Sequence, residues 1–503
     1  DGGAYSINLN KPGNVFGPLQ VTGATGLTNG LASDVTLYAS DTASADAIRD
    51  AGGTGAWNTG TGTVKLVAYD ATGTTAGAGN INLSNTGNVL GDLYIKAADV
   101  TITENGSITD GTLTDWNPTA GHDTGWVTTG TTHLIVANPT GKAITLDNTT
   151  NQIGPLAVNT TGTAGTLSGV LIADNTDLTQ AAVWNVGAAP VTLNATNHKI
   201  DLSTSGNILG DITITTANGL PTSVAITEND AITQAGAWVL TGVPVTLVAE
   251  NDQAITLTNT ANILGDLTLT GGVVSLTEND SITQGNAWTT TGTTTLNPTA
   301  HAITLENAAN VLGPLAIGGT PSAVSITENS DITQASAWVQ AATPFTLNAG
   351  THDIVLSQTG NKLGDLTLTA QNATVTENDT AGITDGGAWT IPGTTTLTAG
   401  ATNPIILNAN PASDFGTVGI VSASNADLGD INDIVFATST IAPGGTLTVT
   451  AGGAITQSGA ITAPSLRLIG TGSATLTNVS NNVSNLAAGF SGGDLAFTNT
   501  GDF

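Results

Sequence analysis

Residues 265–312 read GDLTLTGGVVSLTENDSITQGNAWTTTGTTTLNPTAHAITLENAANVL, and this stretch recurs, with drift, along nearly the whole chain. The junction Leu264-Gly265 that opens it returns as Phe16-Gly17, Leu90-Gly91, Ile153-Gly154, Leu209-Gly210, Leu312-Gly313 and Leu363-Gly364, and more weakly as Phe415-Gly416. The glycines lie 74, 63, 56, 55, 48, 51 and 52 residues apart, so the early units carry insertions and the later ones are regular. A Thr-Glu-Asn segment follows each junction, at Glu104, Glu228, Glu278, Glu328 and Glu377, with Ala-Asp-Asn at Asp174 in the matching place. A tryptophan comes next: Trp57, Trp126, Trp184, Trp238, Trp288, Trp338 and Trp389.

Apolar residues alternate within the unit. Leu267 and Leu269 point one way and Thr268 and Thr270 the other; Val274 with Leu276 and Ile303 with Leu305 repeat the pattern. Period two over four to six residues describes half-buried strands. Gly-Gly, Glu-Asn-Asp and Asn-Pro between them are turn chemistry. No segment sustains a helical period, so an all-β chain without helix is expected. The fold that accommodates such a repeat is an elongated parallel β-helix, or solenoid. About six strands per repeat predict two coils, one over residues 265–292 and one over 293–312. At a strand spacing of about 4.8 Å, roughly 18 to 20 coils give a rod on the order of 90 Å long. A β-propeller is the competing fold, but its blades are of equal length. The chain is read as one solenoid over 1–503: a partial repeat at 1–16, repeats at 17–90, 91–153, 154–209, 210–264, 265–312, 313–363 and 364–415, and divergent coils over 416–503. Gly91, Gly210, Gly265, Gly313 and Gly364, with Trp184, Trp238, Trp288, Trp338 and Trp389, are its structural marks.

Composition narrows the function. There are 8 Lys and Arg against 38 Asp and Glu, a net charge of −30. That disfavours nucleic acid and anionic membrane, which call for a basic face. No apolar run is long enough to span a bilayer. Cysteine is absent, which excludes disulfides and thiolate metal sites. It also suits passage of an unfolded chain across an outer membrane, although a long solenoid has no need of disulfides in any case. The chain contains no Met and starts without a signal peptide, so it is expected to be processed or part of something longer. Ser6–Asn10 matches the middle of a repeat and Gly493–Phe497 the start of one, leaving both ends mid-repeat. Uncapped coils of this kind invite pairing, either with neighbouring sequence or with another copy.

Residues 445–497 read GTLTVTAGGAITQSGAITAPSLRLIGTGSATLTNVSNNVSNLAAGFSGGDLAF. The run at 447–457 and Gly492-Gly493-Asp494-Leu495 resemble the filamentous haemagglutinin family, the secreted adhesins of two-partner secretion, and related autotransporter passengers. The resemblance extends loosely over the other repeats. It implies an extracellular bacterial surface protein that acts in adhesion, aggregation or biofilm. No counterpart of that family's N-terminal secretion domain is seen.

Candidate chemistry is sparse. With two coils per repeat, the Thr-Glu-Asn carboxylates would form one column at steps of roughly 10 Å. Glu228, Asp230, Glu278, Asp280, Glu377 and Asp379 could then hold Ca²⁺, which takes clustered oxygens. The alternative, preferred because one ion cannot bridge that step, is a row of solvated turn residues. No other cofactor or metal is expected. A second column, Asp92, Asp211, Asp266 and Asp365, is broken by Pro155 and Pro314 and reads as a turn before a strand. The tryptophans either stack on sugar rings or pack the longer coil; packing is preferred. His198, His301 and His352 share a position with Lys142 and Gln253 and read as exposed turn residues. The basic residues are scattered, and no clustered acid-base or nucleophile set stands out, so catalysis is not expected.

Two functions are carried forward. One is the shaft of a bacterial extracellular adhesin that meets a host or neighbouring cell surface or its glycans, with the long irregular repeats at 17–90 and 91–153 as contact candidates. The other is a structural subunit of an extracellular fibre, sheath or matrix, built by head-to-tail or lateral self-association.

Overall fold

A computed structural model describes residues 5–9, 11, 13–17, 19, 21, 32–41, 46–51, 55–111, 125–161 and 166–501. All regular elements among them are β-strands, and every ladder pairing between these strands is parallel. They wind as a β-solenoid of about 19 turns. Contacts divide the chain into two compact units, Asp1–Gly265 and Asp266–Phe503.

In the second unit one ladder stacks Ile282, Ile303, Val324, Phe345 and Leu366, each 21 residues after the last. All five are buried and form a continuous apolar column. The residues beside them, Thr304, Ser325, Thr346 and Thr367, point outward as a polar ladder. A second ladder runs Val274, Thr294, Leu315, then Gln334 by a bridge from Leu315, then from Ile332 to Ile354 and Ala373. The first unit repeats the arrangement. One ladder passes Leu178, Ile200, Val224 and Val245; the other passes Ile108, Ile144, Val170, Val191 and Ile212.

This spacing corrects the expected two coils per repeat. With 21 residues between stacked positions, a repeat of about 50 residues is about two and a half coils. Equivalent segments therefore land alternately on the two ladders. Glu278 ends the strand Val274–Glu278 on the second ladder, while Glu328 follows Val324–Thr327 on the first. Glu377 follows Ala373–Thr376, back on the second ladder. In the first unit Asp174 and Glu228 likewise sit on different ladders. Carboxylates on one ladder are five coil steps apart, from Val274 to Ala373, or roughly 24 Å. The single column at roughly 10 Å steps does not exist.

From Gly91 onward the junction glycines are required by close approach. A Cβ on Gly313 would fall on the carbonyl oxygen of Gly292 in the coil before it, and one on Gly364 on that of Thr343. Gly313→Ala is expected to cost about 1–3 kcal/mol through backbone displacement. Gly236, with open space around its Cα, should accept alanine within about 0.5 kcal/mol. Denaturant midpoints of the two variants check this pair.

The long early repeats include a hairpin-like arm closed by the antiparallel bridge Tyr69↔Ala76. Asp70 caps its turn by accepting the N–H groups of Thr74 and Thr75. Residues 22–31, 42–45, 52–54 and 112–124, within the repeats singled out as contact candidates, lie outside the described residues.

Candidate functional site

The recurring residues meet inside the coil. Trp57, Trp126, Trp184, Trp238, Trp288, Trp338 and Trp389 are all fully buried, at 0 % exposure. Each indole N–H donates to a backbone carbonyl of the Leu-Gly segment one coil below: Trp184 to Leu156 at 2.8 Å, Trp288 to Leu267 at 2.8 Å, Trp389 to Leu366 at 2.9 Å. With both faces enclosed, these rings offer no platform to a sugar. Trp338 instead stacks on Phe345, with ring centroids 5.3 Å apart.

The hub of the arrangement is a residue that the sequence reading passed over, the asparagine two places before each Leu-Gly junction. Asn88, Asn151, Asn207, Asn262, Asn310 and Asn361 are fully buried. Asn310 accepts the backbone N–H of Trp288 at 2.9 Å and the Gln284 amide at 2.9 Å. It donates to the carbonyls of Leu305 and Thr327 and to Gln284 Oε1. Asn361 repeats the set with Trp338, Gln334, Leu356 and Thr376. The signal was present in the sequence: Asn-x-Leu-Gly, or Asn-x-Ile-Gly at 151–154, recurs in six successive repeats. A buried amide needs several partners at once, and this position supplies them from three successive coils.

The Thr-Glu-Asn carboxyls correct the solvated-turn reading. Glu104, Glu228 and Glu278 have 0 % exposure, Asp174 1 %, and Glu328 and Glu377 3 %. Each that follows accepts the N–H of the residue before a junction glycine: Glu104 from Leu90 at 2.9 Å, Asp174 from Ile153 at 3.3 Å, Glu228 from Leu209 at 2.8 Å, Glu328 from Leu312 at 2.6 Å and Glu377 from Leu363 at 2.8 Å. Asp430 does the same for Phe415 at 2.8 Å, so the divergent end keeps the device under another residue. Burial pushes these acids up, to about 8 for Glu104 and Glu228 and about 7 for Asp174, Glu328 and Glu377.

The remaining candidates stay separate from this hub. Asp230, Asp280 and Asp379 lie outside the core; each accepts a nearby backbone N–H, from Ala231, Ser281 and Ala381 respectively. Among the described residues no group of three or more His, Cys, Asp or Glu is arranged to hold a metal. The aspartates of Leu-Gly-Asp act as staples between coils: Asp92, Asp266 and Asp365 accept hydroxyls from Thr109, Thr283 and Thr384 at 2.9, 2.8 and 2.6 Å. His198, His301 and His352 are about two-fifths exposed and stand 3.5 to 3.8 Å from Asp177, Asp280 and Asp331. Exposed pairs of this kind contribute little.

A family model described as repeats of unknown function (DUF5649) matches four consecutive segments, 262–315, 311–367, 362–422 and 423–490. The first three begin at or just after the asparagine hub, at Asn262, Val311 and Lys362, so the matched unit and the buried clasp share a register. No curated protein and no solved structure matches the chain significantly. Among the described residues no helix is long and apolar enough to cross a membrane.

Proposed function

We propose that this chain is the shaft of a bacterial extracellular adhesin, a non-catalytic spacer whose work is to hold contacts at a distance. The observation that carries the reading is where its recurring residues sit. Tryptophan, asparagine and carboxyl all turn inward and lock one coil to the next, while outward positions vary freely between Thr, Ser, Asn, Lys and Arg. Recurrence is spent on the scaffold, as in proteins whose stability is a sum over neighbouring repeats. The likeness of residues 445–497 to filamentous haemagglutinin repeats supports an extracellular, adhesive setting. The acidic charge supports a surface that stays apart from nucleic acid and anionic lipid.

Imaging the purified chain and measuring its binding to cells and glycans tests this. Separate rods that bind cells or glycans are expected. Long filaments would favour the second reading, a structural subunit of a fibre or matrix. That reading has its own support in Val421, Ile431 and Val479, which are 57, 54 and 73 % exposed and available for lateral packing. No cofactor is proposed: adding calcium or a chelator should leave the denaturation midpoint unchanged.

A further inference from the structure

The buried carboxyls hold the junction with one oxygen only. In Glu104, Asp174, Glu228 and Glu328 the other oxygen is buried and meets no hydrogen-bond partner. The oxygen that is used is well served. Asp174 Oδ1 takes the Thr176 N–H and hydroxyl besides the Ile153 N–H, and Glu328 Oε1 takes the Ser330 hydroxyl besides the Leu312 N–H. A carboxylate placed this way buries charge on an oxygen with nothing to compensate it, a cost well above that of one unpaired neutral hydroxyl, which is about 1–3 kcal/mol.

Few charges nearby offset this. Lys142 acts on Glu104 and favours its ionised form, against the larger effect of burial. Beside Glu228 lies Asp230, and Glu250 in the next coil is already bound to Ser205 and Gly206. Beside Glu328 lies Asp331, which pairs with His352. Asp174 is followed by exposed Asp177, paired with His198. Asp230 and Asp331 oppose the ionisation of Glu228 and Glu328.

We propose that these four carboxyls are proton-dependent latches: each is a neutral acid in the folded coil, and its ionisation as pH rises releases the Leu-Gly junction it holds. Folding then takes up a proton at each latch. The sign follows from linkage. Folded values of about 7 to 8 stand above the usual carboxyl range, so the stability tied to protonation is complete below about pH 4.5 and is lost as pH rises through about 7 to 8. A chain that is unfolded in a mildly alkaline medium would set firmly on reaching a more acidic one.

The test is denaturant unfolding of the full chain between pH 5.5 and 8.5, beside the triple variant Glu104→Gln, Glu228→Gln, Glu328→Gln. The amide oxygen still accepts the junction N–H but carries no charge. For the native sequence the midpoint should fall steadily with pH, with an uptake of about one proton per latch near pH 6. The triple variant should lose most of that slope. The histidines are identical in the two proteins and cancel in the comparison. A flat or rising midpoint in the native sequence, or an unchanged slope in the variant, overturns the proposal. Should the variant not fold, the infrared carbonyl band of ¹³C-Glu protein decides. A protonated-acid band at pH 6 that disappears above pH 9 supports the latches, and its absence at pH 6 refutes them.

Discussion

Trp338→Ala should cost about 3–5 kcal/mol, the range for emptying a buried large aromatic site. The side chain is fully enclosed. Its removal would take away the stacking on Phe345, 5.3 Å between centroids, and the indole hydrogen bond to Leu315. The flanking coils are tied to their own neighbours by strand ladders on both sides and cannot collapse into the gap. Trp338→Phe keeps most of the volume and should lose only about 1–2 kcal/mol, chiefly from the lost indole hydrogen bond, since the Leu315 carbonyl still accepts the Ala335 N–H at 2.8 Å. In a solenoid each repeat is stabilised mainly by its neighbours. The damage should therefore appear as faster hydrogen exchange over residues 313–363 before any global change. Uniform protection along that segment in Trp338→Ala would contradict the packing role.

The second large effect falls on the asparagine hub. Asn361→Ala strands the Trp338 N–H and the Gln334 amide, together with the Leu356 and Thr376 carbonyls. A buried polar group left unpaired costs about 1–3 kcal/mol, so the loss should be at least about 3 kcal/mol. Asn361→Ser should be milder, because the chain already uses this solution once: Ser413 Oγ accepts the Trp389 N–H at 3.1 Å in place of an asparagine. Denaturant midpoints of the two variants measure the difference. Equal losses would mean that the Trp N–H contributes nothing and that the carbonyls decide.

Much of the fold was legible from residues. Alternation at Leu267/Leu269 and Ile303/Leu305 put the apolar side chains in the core, where all four are buried. The recurring Leu-Gly set the register, and the glycine has a physical basis in the carbonyl that passes over it. The coil count per repeat was not legible. Counting strands gave two coils, because the chain's own period is a period of motifs, and a motif carries no record of which ladder it lands on. Only the pairing of Ile303 with Val324 and Val324 with Phe345 fixes the coil at 21 residues. That number is what breaks the supposed carboxylate column.

The carboxyls show the limit most clearly. Thr-Glu-Asn between two strands looks like solvated turn chemistry, since an acid beside an asparagine is usually exposed. Its partner, the N–H before the junction glycine, lies 14 to 21 residues earlier in the sequence, too far for local pattern to connect. The sequence by itself determined the strand period, the inward faces and the absence of helical pattern, because these depend on near neighbours. The tertiary structure alone decided that tryptophan, asparagine and carboxyl form one buried clasp and that successive clasps alternate between ladders. It did so because burial and hydrogen-bond satisfaction are settled by which coil lies above and below.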